Sequence, residues 1–139
     1  AAKLLKNARA ASNVMAKMSV AERLDFLNVL EQKLAAHQDE LMITITADTG
    51  KPIDLSKGEM TKGNEWFAYA RKEAEEQIGD KKTGDSQTVS YKPRGAVQMI
   101  GAFNYPYALA ISGIVGGLAA GNGVIVAAPQ KAPNWVFPF

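Results

Sequence analysis

Cysteine is absent from the sequence, and histidine occurs only once, as His37. Without a thiol, these 139 residues can form no disulfide, no thiolate zinc site and no cysteine nucleophile. His37 lies near a predicted helix end, where a favourable interaction with the helix C-terminus explains it better than a catalytic role. The sequence therefore predicts no metal site and no nucleophilic catalysis by a thiol of its own.

A large excess of charge of either sign is also missing. The 16 lysines and arginines stand against 14 acidic residues, which gives a net charge of +2. This excess is too small to indicate nucleic acid or an anionic membrane as a partner. The sequence contains no basic segment followed by an apolar run, which is the pattern of a signal peptide. We therefore expect a cytoplasmic protein.

Charged residues and histidine are missing altogether from residues 95–130. A stretch of this length could in principle span a bilayer. However, Pro106, Pro129 and repeated glycines divide it into short pieces. We therefore predict a buried strand, loop, helix and strand, and keep a membrane-associated peptide as the minor alternative.

The first half of the chain has helical patterns. Residues 1–18 consist largely of good helix formers. Ser19 and Glu22 have the spacing of a capping box, which predicts a helix that begins at Val20. Its leucines recur at spacings of three and four and form one apolar stripe: Leu24, Leu27, Leu30 and Leu34.

Two further helices are predicted before residue 78. Asp39 is a candidate cap for the first, and the β-branched side chains within residues 41–45 leave a strand as an alternative. We favour a helix because the pattern continues to Gly50, a residue typical of a helix C-terminus. Pro52 fits the first turn of the second helix, which extends to about Gln77. Three aromatic residues on that helix are expected to pack it against a sheet: Trp66, Phe67 and Tyr69.

Beyond residue 78 the pattern changes. Residues 79–86 form a polar, turn-rich linker, and residues 87–91 alternate as a half-buried strand would. A buried strand, a helix and a second buried strand follow, at residues 96–100, 107–120 and 124–126. Strand, helix and strand within about thirty residues indicate a βαβ unit with parallel strands.

The loop of residues 101–106 follows the first strand of this unit. Ligands of open α/β sheets bind where loops leave the carboxyl ends of the strands. Asn104 supplies a neutral donor just past such an end, and its amide could stabilise an oxyanion. Taken alone, an Asn-Tyr-Pro sequence is more often a plain turn, and this alternative stays open at the level of the residues.

Five segments resemble motifs of the NAD(P)-dependent aldehyde dehydrogenase family, in the family's order and spacing. They are Ser19-Val20-Ala21-Glu22-Arg23, Asp48-Thr49-Gly50-Lys51-Pro52, Lys92-Pro93-Arg94-Gly95-Ala96-Val97, Ile100-Gly101-Ala102-Phe103-Asn104-Tyr105-Pro106, and Leu118-Ala119-Ala120-Gly121-Asn122 with Val124-Ile125-Val126. Each motif alone is weak, but five in register cover nearly the whole chain. The resemblance implies an α/β fold, with N-terminal helices followed by the first βαβ unit of a Rossmann-like parallel sheet in an incomplete domain.

The resemblance also implies a reaction and roles for particular residues. Family members oxidise an aldehyde to an acid with NAD or NADP, through a cysteine thiohemiacetal. Asn104 corresponds to the family's oxyanion-hole asparagine. The residues that correspond to the cofactor cleft are Gly101, Ala102, Phe103, Ala127, Pro129 and Gln130.

The second strand departs from the family pattern at its carboxyl end. Ala127 and Gln130 stand where the family has a ribose-binding lysine and glutamate. The loss of a charged contact of this kind typically costs about 1.5–3 kcal/mol. Lys131 could substitute for the missing lysine only if the loop were rearranged.

The resemblance predicts a fragment of an oxidoreductase whose nucleophile lies outside this chain. Residues 1–78 would form the helical part of the cofactor domain, residues 79–94 a linker and a strand of an oligomerisation sheet, and residues 95–139 the βαβ unit. We expect a small aldehyde as substrate and a homo-oligomer in the intact protein. The apolar residues 134–139 read as a cut through something larger. The alternative is a non-catalytic, truncated relative that acts as an interaction or oligomerisation module.

Overall fold

The computed structural model describes residues 2–136. The elements in chain order are α1 (Ala2–Met15), α2 (Val20–Ala36), α3 (Gln38–Thr49), α4 (Ile53–Gln77), β1 (Lys81–Lys82), β2 (Thr88–Val89), β3 (Ala96–Ile100), α5 (Pro106–Ala119), β4 (Gly123–Ala127) and a 3-10 helix (Asn134–Val136). The apolar terminus noted in the sequence lies partly outside the described residues, since these end at Val136.

The capping box at the start of α2 is confirmed. The backbone N–H of Ser19 donates to Glu22 Oε2 at 2.7 Å, and the N–H of Glu22 donates to Ser19 Oγ at 3.2 Å. The hydrogen bond from the Ser19 backbone lowers the pKa of the Glu22 carboxyl. Helix α1 ends at Met15, three residues before the predicted end, because a turn closed by Met18 N–H on the Met15 carbonyl leads into this cap.

Residues 41–45 are helical, as predicted, within α3. Gly50 ends this helix with a left-handed backbone (φ 71°), and its N–H donates to the Thr46 carbonyl at 2.9 Å. The predicted cap Asp39 is wrong. Helix α3 begins at Gln38, directly after the single residue that separates it from α2, so Asp39 lies in the first turn. Pro52 precedes α4 as its N-cap and does not lie within the first turn.

The core lies where α4 packs against α5, with α2 and α3 alongside. The predicted leucine stripe is confirmed on α2, where Leu24, Leu27 and Leu34 are buried. On α4, Phe67 is fully buried, but Tyr69 is 55% exposed and Trp66 is 36% exposed. The prediction that these residues pack α4 against a sheet is therefore wrong for Trp66 and Tyr69, and Phe67 enters a core that α4 forms mainly with helix α5. Positions so close together on a helix cannot all face one side.

Strands β3 and β4 pair in parallel, with Ile100 opposite Ala127 at their carboxyl ends. This pairing confirms the predicted βαβ unit. Helix α5 joins the two strands, and α1 packs on β4. Within residues 2–136, no helix is both long and apolar enough to cross a membrane.

The segment before β3 differs from the prediction. The region predicted as a linker contains β1, which pairs antiparallel with β2. Strand β2 has only two residues, and both are exposed, as is Tyr91 beyond it. The alternation of residues 87–91 predicts which side chains share a face, but it carries no information on whether another element covers that face.

Candidate active and cofactor site

Two loops leave the carboxyl edge of the parallel pair side by side. The first loop, residues 101–105, follows β3, and the second loop, residues 128–133, follows β4. The N–H of Gly101 donates to the Ala127 carbonyl at 2.8 Å and extends the pairing beyond β3. A Cβ at Gly101 would lie 2.8 Å from Pro129 Cδ, so only glycine allows the loops to approach this closely.

The loops border an open concavity of about 410 Å³, which we name the loop concavity. Its lining residues are Ile100, Gly101, Ala102, Phe103, Ala127, Ala128, Pro129, Gln130 and Lys131. The structure thus brings together all six residues that the sequence assigned to a cofactor cleft. Glycine or alanine occupies four of the nine lining positions, and the apolar side chains of Ile100, Phe103 and Pro129 line the rest together with Gln130 and Lys131. A mostly apolar lining with a few polar groups is typical of a small-molecule site.

Lys131 is the one charged residue in the lining of the loop concavity. Its Nζ lies 5.1 Å from the centroid of the Phe103 ring, within the range of a cation–π interaction. Ala127 offers no side-chain donor, so Lys131 supplies the positive charge at this edge. The ammonium reaches from the second loop to the first in the arrangement observed.

Asn104 follows Phe103 and is exposed. Its backbone carbonyl accepts a hydrogen bond from Lys51 Nζ at 2.7 Å. The residue is not part of the loop concavity lining, but it is the direct neighbour of Phe103, which is. The structure therefore places Asn104 in the loop just past the carboxyl end of β3, next to a residue that lines the loop concavity.

A buried carboxylate that the sequence analysis missed lies beneath this loop. Glu59 is 1% exposed, and its Oε2 accepts from Lys51 Nζ at 2.5 Å. Its Oε1 accepts from the N–H groups of Tyr107 and Ala108 at 2.8 and 3.2 Å. These two amides belong to the first turn of α5, so Glu59 satisfies the donors with which a helix N-terminus could otherwise bind a phosphate.

A sequence signal for Glu59 existed. The buried face of α4 recurs at helical spacing through residues that are mostly small or apolar: Ser56, Met60, Gly63, Phe67, Ala70 and Ala74. Glu59 lies on that same face. A lone carboxylate on the buried face of a helix needs a cation or hydrogen-bond donors as partners, so the pattern signals a buried polar contact without identifying which residues make it.

Tyr107 is fully buried beside this network, and its hydroxyl donates to Asn64 Oδ1 at 2.9 Å. Burial raises the pKa of Tyr107, and the charges of Glu31 and Glu59 raise it further. The phenol therefore stays neutral and serves as a packing and hydrogen-bonding group. Among residues 2–136, no three histidine or acidic side chains lie close enough to hold a metal ion.

Comparison with known proteins gives the family. Residues 1–137 match the profile of the aldehyde dehydrogenase family. The N-succinylglutamate 5-semialdehyde dehydrogenase of Pseudomonas fluorescens is 33% identical over 130 residues, which cover 91% of this chain and 27% of that protein. The chain thus spans about a quarter of the length of the curated relative.

Solved structures share the fold. An aldehyde dehydrogenase from Bartonella henselae superposes with a TM-score of 0.90 at 20% identity, over 98% of this chain and 29% of that one. A glyceraldehyde-3-phosphate dehydrogenase from Methanocaldococcus jannaschii, complexed with NADP, superposes with a TM-score of 0.87 at 23% identity, over 98% of this chain and 30% of that one. The chain belongs to the aldehyde dehydrogenase family.

Proposed function

We propose that this chain forms part of a cytoplasmic enzyme that oxidises a small aldehyde to a carboxylic acid with NAD or NADP. The observation that carries the proposal is the position of Asn104 at the carboxyl edge of the parallel pair, next to the loop concavity. Membership of the aldehyde dehydrogenase family supports the reaction class.

Asn104 would act on the oxygen of the substrate carbonyl. A thiolate from residues outside these 139 would attack the aldehyde carbon and form a thiohemiacetal, and the carbonyl oxygen would become negatively charged. The Asn104 carboxamide would donate a hydrogen bond to that oxygen. A donor of this type typically lowers the barrier by about 2.7–4 kcal/mol when it is held in place beforehand.

The loop concavity would hold part of the dinucleotide, which supplies a hydride acceptor when bound. Gly101, Ala102 and Phe103 would form one wall, and Ala127, Pro129 and Gln130 the other. Gln130 offers a neutral amide, and Lys131 would contact the ribose or phosphate oxygens in place of the lysine that Ala127 replaces. The fit is supported by the glycine and alanine residues at four of the nine lining positions and by the single positive charge of Lys131.

Titration of the isotope-labelled chain with NADP and NAD, followed by NMR, tests this proposal. Signals of Gly101, Phe103 and Lys131 should shift on addition of dinucleotide. Lys131→Met should weaken binding by about tenfold or more, because a hydrogen bond to a charged group is lost. Lys57→Met, which removes an exposed lysine of α4, is the matched control. Unchanged loop signals at millimolar dinucleotide would refute the cofactor role.

A second candidate function is a non-catalytic interaction or oligomerisation module. It is favoured by apolar side chains that lie uncovered on both sheets: Ile100 is 74% exposed and Val89 is 42% exposed. In this candidate function, residues 79–94 contribute to an oligomerisation sheet. Residues 1–78 remain the helical part and residues 95–139 the βαβ unit. Size-exclusion chromatography with light scattering tests it, and a monomer at high concentration would count against it.

A further inference from the structure

We infer that the turn of residues 48–52, where α3 ends and the chain leads into α4, positions both loops of the candidate site. Lys51 fixes the first loop at Asn104, and Asp48 fixes the far end of the second loop at Asn134. Both are positioning residues, since neither belongs to the lining of the loop concavity. The inference rests on the proposed function only in the role it gives Asn104.

Lys51 is held from several sides at once. Its Nζ donates to the Asn104 carbonyl at 2.7 Å and to the fully buried side chain of Glu59 at 2.5 Å. The same ammonium lies 4.6 Å from the centroid of the Tyr105 ring. Only 13% of the Lys51 side chain is exposed. An ammonium with these partners has little freedom, so the backbone at Asn104 is fixed relative to α4.

Asp48 makes a two-point contact with Asn134. Its Oδ2 accepts from the Asn134 backbone N–H at 2.8 Å, and its Oδ1 accepts from the Asn134 side-chain amide at 2.7 Å. Asn134 begins the 3-10 helix that follows the second loop. The contact spans 86 positions of sequence and ties the end of this loop to the last turn of α3.

The 48–52 turn is itself anchored between its helices. Thr49 Oγ1 donates to the Ile45 carbonyl at 2.6 Å, and Gly50 closes α3 on the Thr46 carbonyl. The hydroxyls of Thr46 and Ser56 lie 2.7 Å apart and join α3 to α4. Because Asp48 and Lys51 are separated by only two residues of this fixed turn, the two loops are set relative to each other as well as to the helices.

NMR on the isotope-labelled chain tests the role of Lys51 without any ligand. Lys51→Met should shift the carbonyl carbon signal of Asn104, which loses its hydrogen bond from Lys51 Nζ. It should also speed amide exchange of Tyr107, because Glu59, the acceptor of that amide, loses its ion-pair partner. Lys51→Arg retains a charged donor and should restore most of both signals. Lys57→Met, on the exposed face of α4, should leave them unchanged.

Asp48 provides a second variant that removes a contact at the surface and spares the buried Glu59. Asp48→Ala should speed exchange of the Asn134 N–H about 10- to 100-fold and broaden the signals of residues 131–134, while Asp54→Ala, which removes an exposed acid of α4, should not. The inference is overturned if Lys51→Met leaves the Asn104 carbonyl signal where it is, or if Asp48→Ala leaves Asn134 protected.

The outcome is separable from that of the dinucleotide titration. If the loop signals change in the Lys51 and Asp48 variants but the chain binds no dinucleotide, the positioning role is supported and the cofactor role is refuted. If the chain binds dinucleotide but the loop signals are unchanged in both variants, the cofactor role is supported and the positioning role is refuted.

Discussion

Asn104 and Tyr107 lie three positions apart on the chain and in opposite environments. Asn104 is exposed at the edge of the sheet, whereas Tyr107 is fully buried, with its ring 6.0 Å from that of Trp135 and its hydroxyl bonded to Asn64. Pro106 between them is the first residue of α5, so the chain passes from loop to core within one turn. Asn104, which is proposed to contact substrate, is therefore only three positions from Tyr107, a fully buried residue that fixes the start of α5.

Tyr107→Phe should change how stability depends on pH. Burial raises the pKa of this phenol in the native state above the value of about 10 for an unfolded chain. As pH rises above about 10, the unfolded chain loses the proton first, so the stability contribution present below that pH is lost. At neutral pH the variant should have a free energy of unfolding lower by about 0.5–1.5 kcal/mol, because the hydrogen bond to Asn64 is lost. Its free energy of unfolding should decrease less steeply in alkali than that of the wild-type chain.

Urea unfolding between neutral pH and strongly alkaline pH measures this effect. Tyr91→Phe is the control, because Tyr91 is 57% exposed. Equal alkaline slopes for the Tyr107 variant and the wild-type chain would contradict the expectation.

Helix α4 contains two glycines in opposite settings. A Cβ at Gly63 would overlap the ring of Tyr107, whereas a Cβ at Gly58 would meet open space. Gly63→Ala should therefore cost about 1–3 kcal/mol through overpacking, although alanine favours the helix. Gly58→Ala should gain up to about 1 kcal/mol. Urea denaturation of both variants measures the difference, and a gain at both positions would show that α4 and α5 are not closely packed at Gly63.

A buried arginine of α2 caps the C-terminal end of α5 by donating to its last carbonyl. Arg23 is 8% exposed, and its guanidinium donates to the carbonyls of Ala119 at 2.7 Å and Met18 at 3.2 Å. Arg23→Ala should lower the free energy of unfolding by about 2–3 kcal/mol, because charged hydrogen bonds to otherwise unpaired carbonyls are lost. Arg9→Ala, at an exposed position of α1, is the control. A similar decrease in the free energy of unfolding of both variants would show that Arg23 does not stabilise the end of α5.

At the scale of the whole molecule, the 139 residues should not oxidise aldehydes by themselves. They contain no cysteine, so no thiolate can attack the carbonyl, and the oxyanion that Asn104 is proposed to stabilise cannot form. A series of aldehydes incubated with the chain and NAD or NADP should give no reduced dinucleotide above the background of protein-free samples. Sustained NADH or NADPH formation would contradict the proposed division of labour between this chain and residues outside it.

Much of the fold could be predicted because it depends on local chemistry. The Ser19–Glu22 capping box, the left-handed turn at Gly50 and the α2 leucine stripe are set by residues a few positions apart. The order of strand, helix and strand in residues 95–130 likewise follows from glycine, proline and uninterrupted apolar residues. The position of Asn104 at the end of β3 follows from that order.

The contacts that hold the site depend on pairs of residues far apart in sequence, and no local pattern encodes them. Lys51 meets Asn104 across 53 positions, Glu59 meets Tyr107 across 48, and Asp48 meets Asn134 across 86. Aromatic character predicts that Trp66 and Tyr69 pack α4 against a sheet, but of the three aromatic residues only Phe67 is buried where α4 packs against α5. Sequence by itself determined the helices and the strand–helix–strand unit, since these follow from hydrogen bonding and apolar patterns within a few residues, but not the short antiparallel pair of β1 and β2. Tertiary structure decided which side chains are buried and which loops share an anchor, because packing selects among faces that the sequence leaves equivalent.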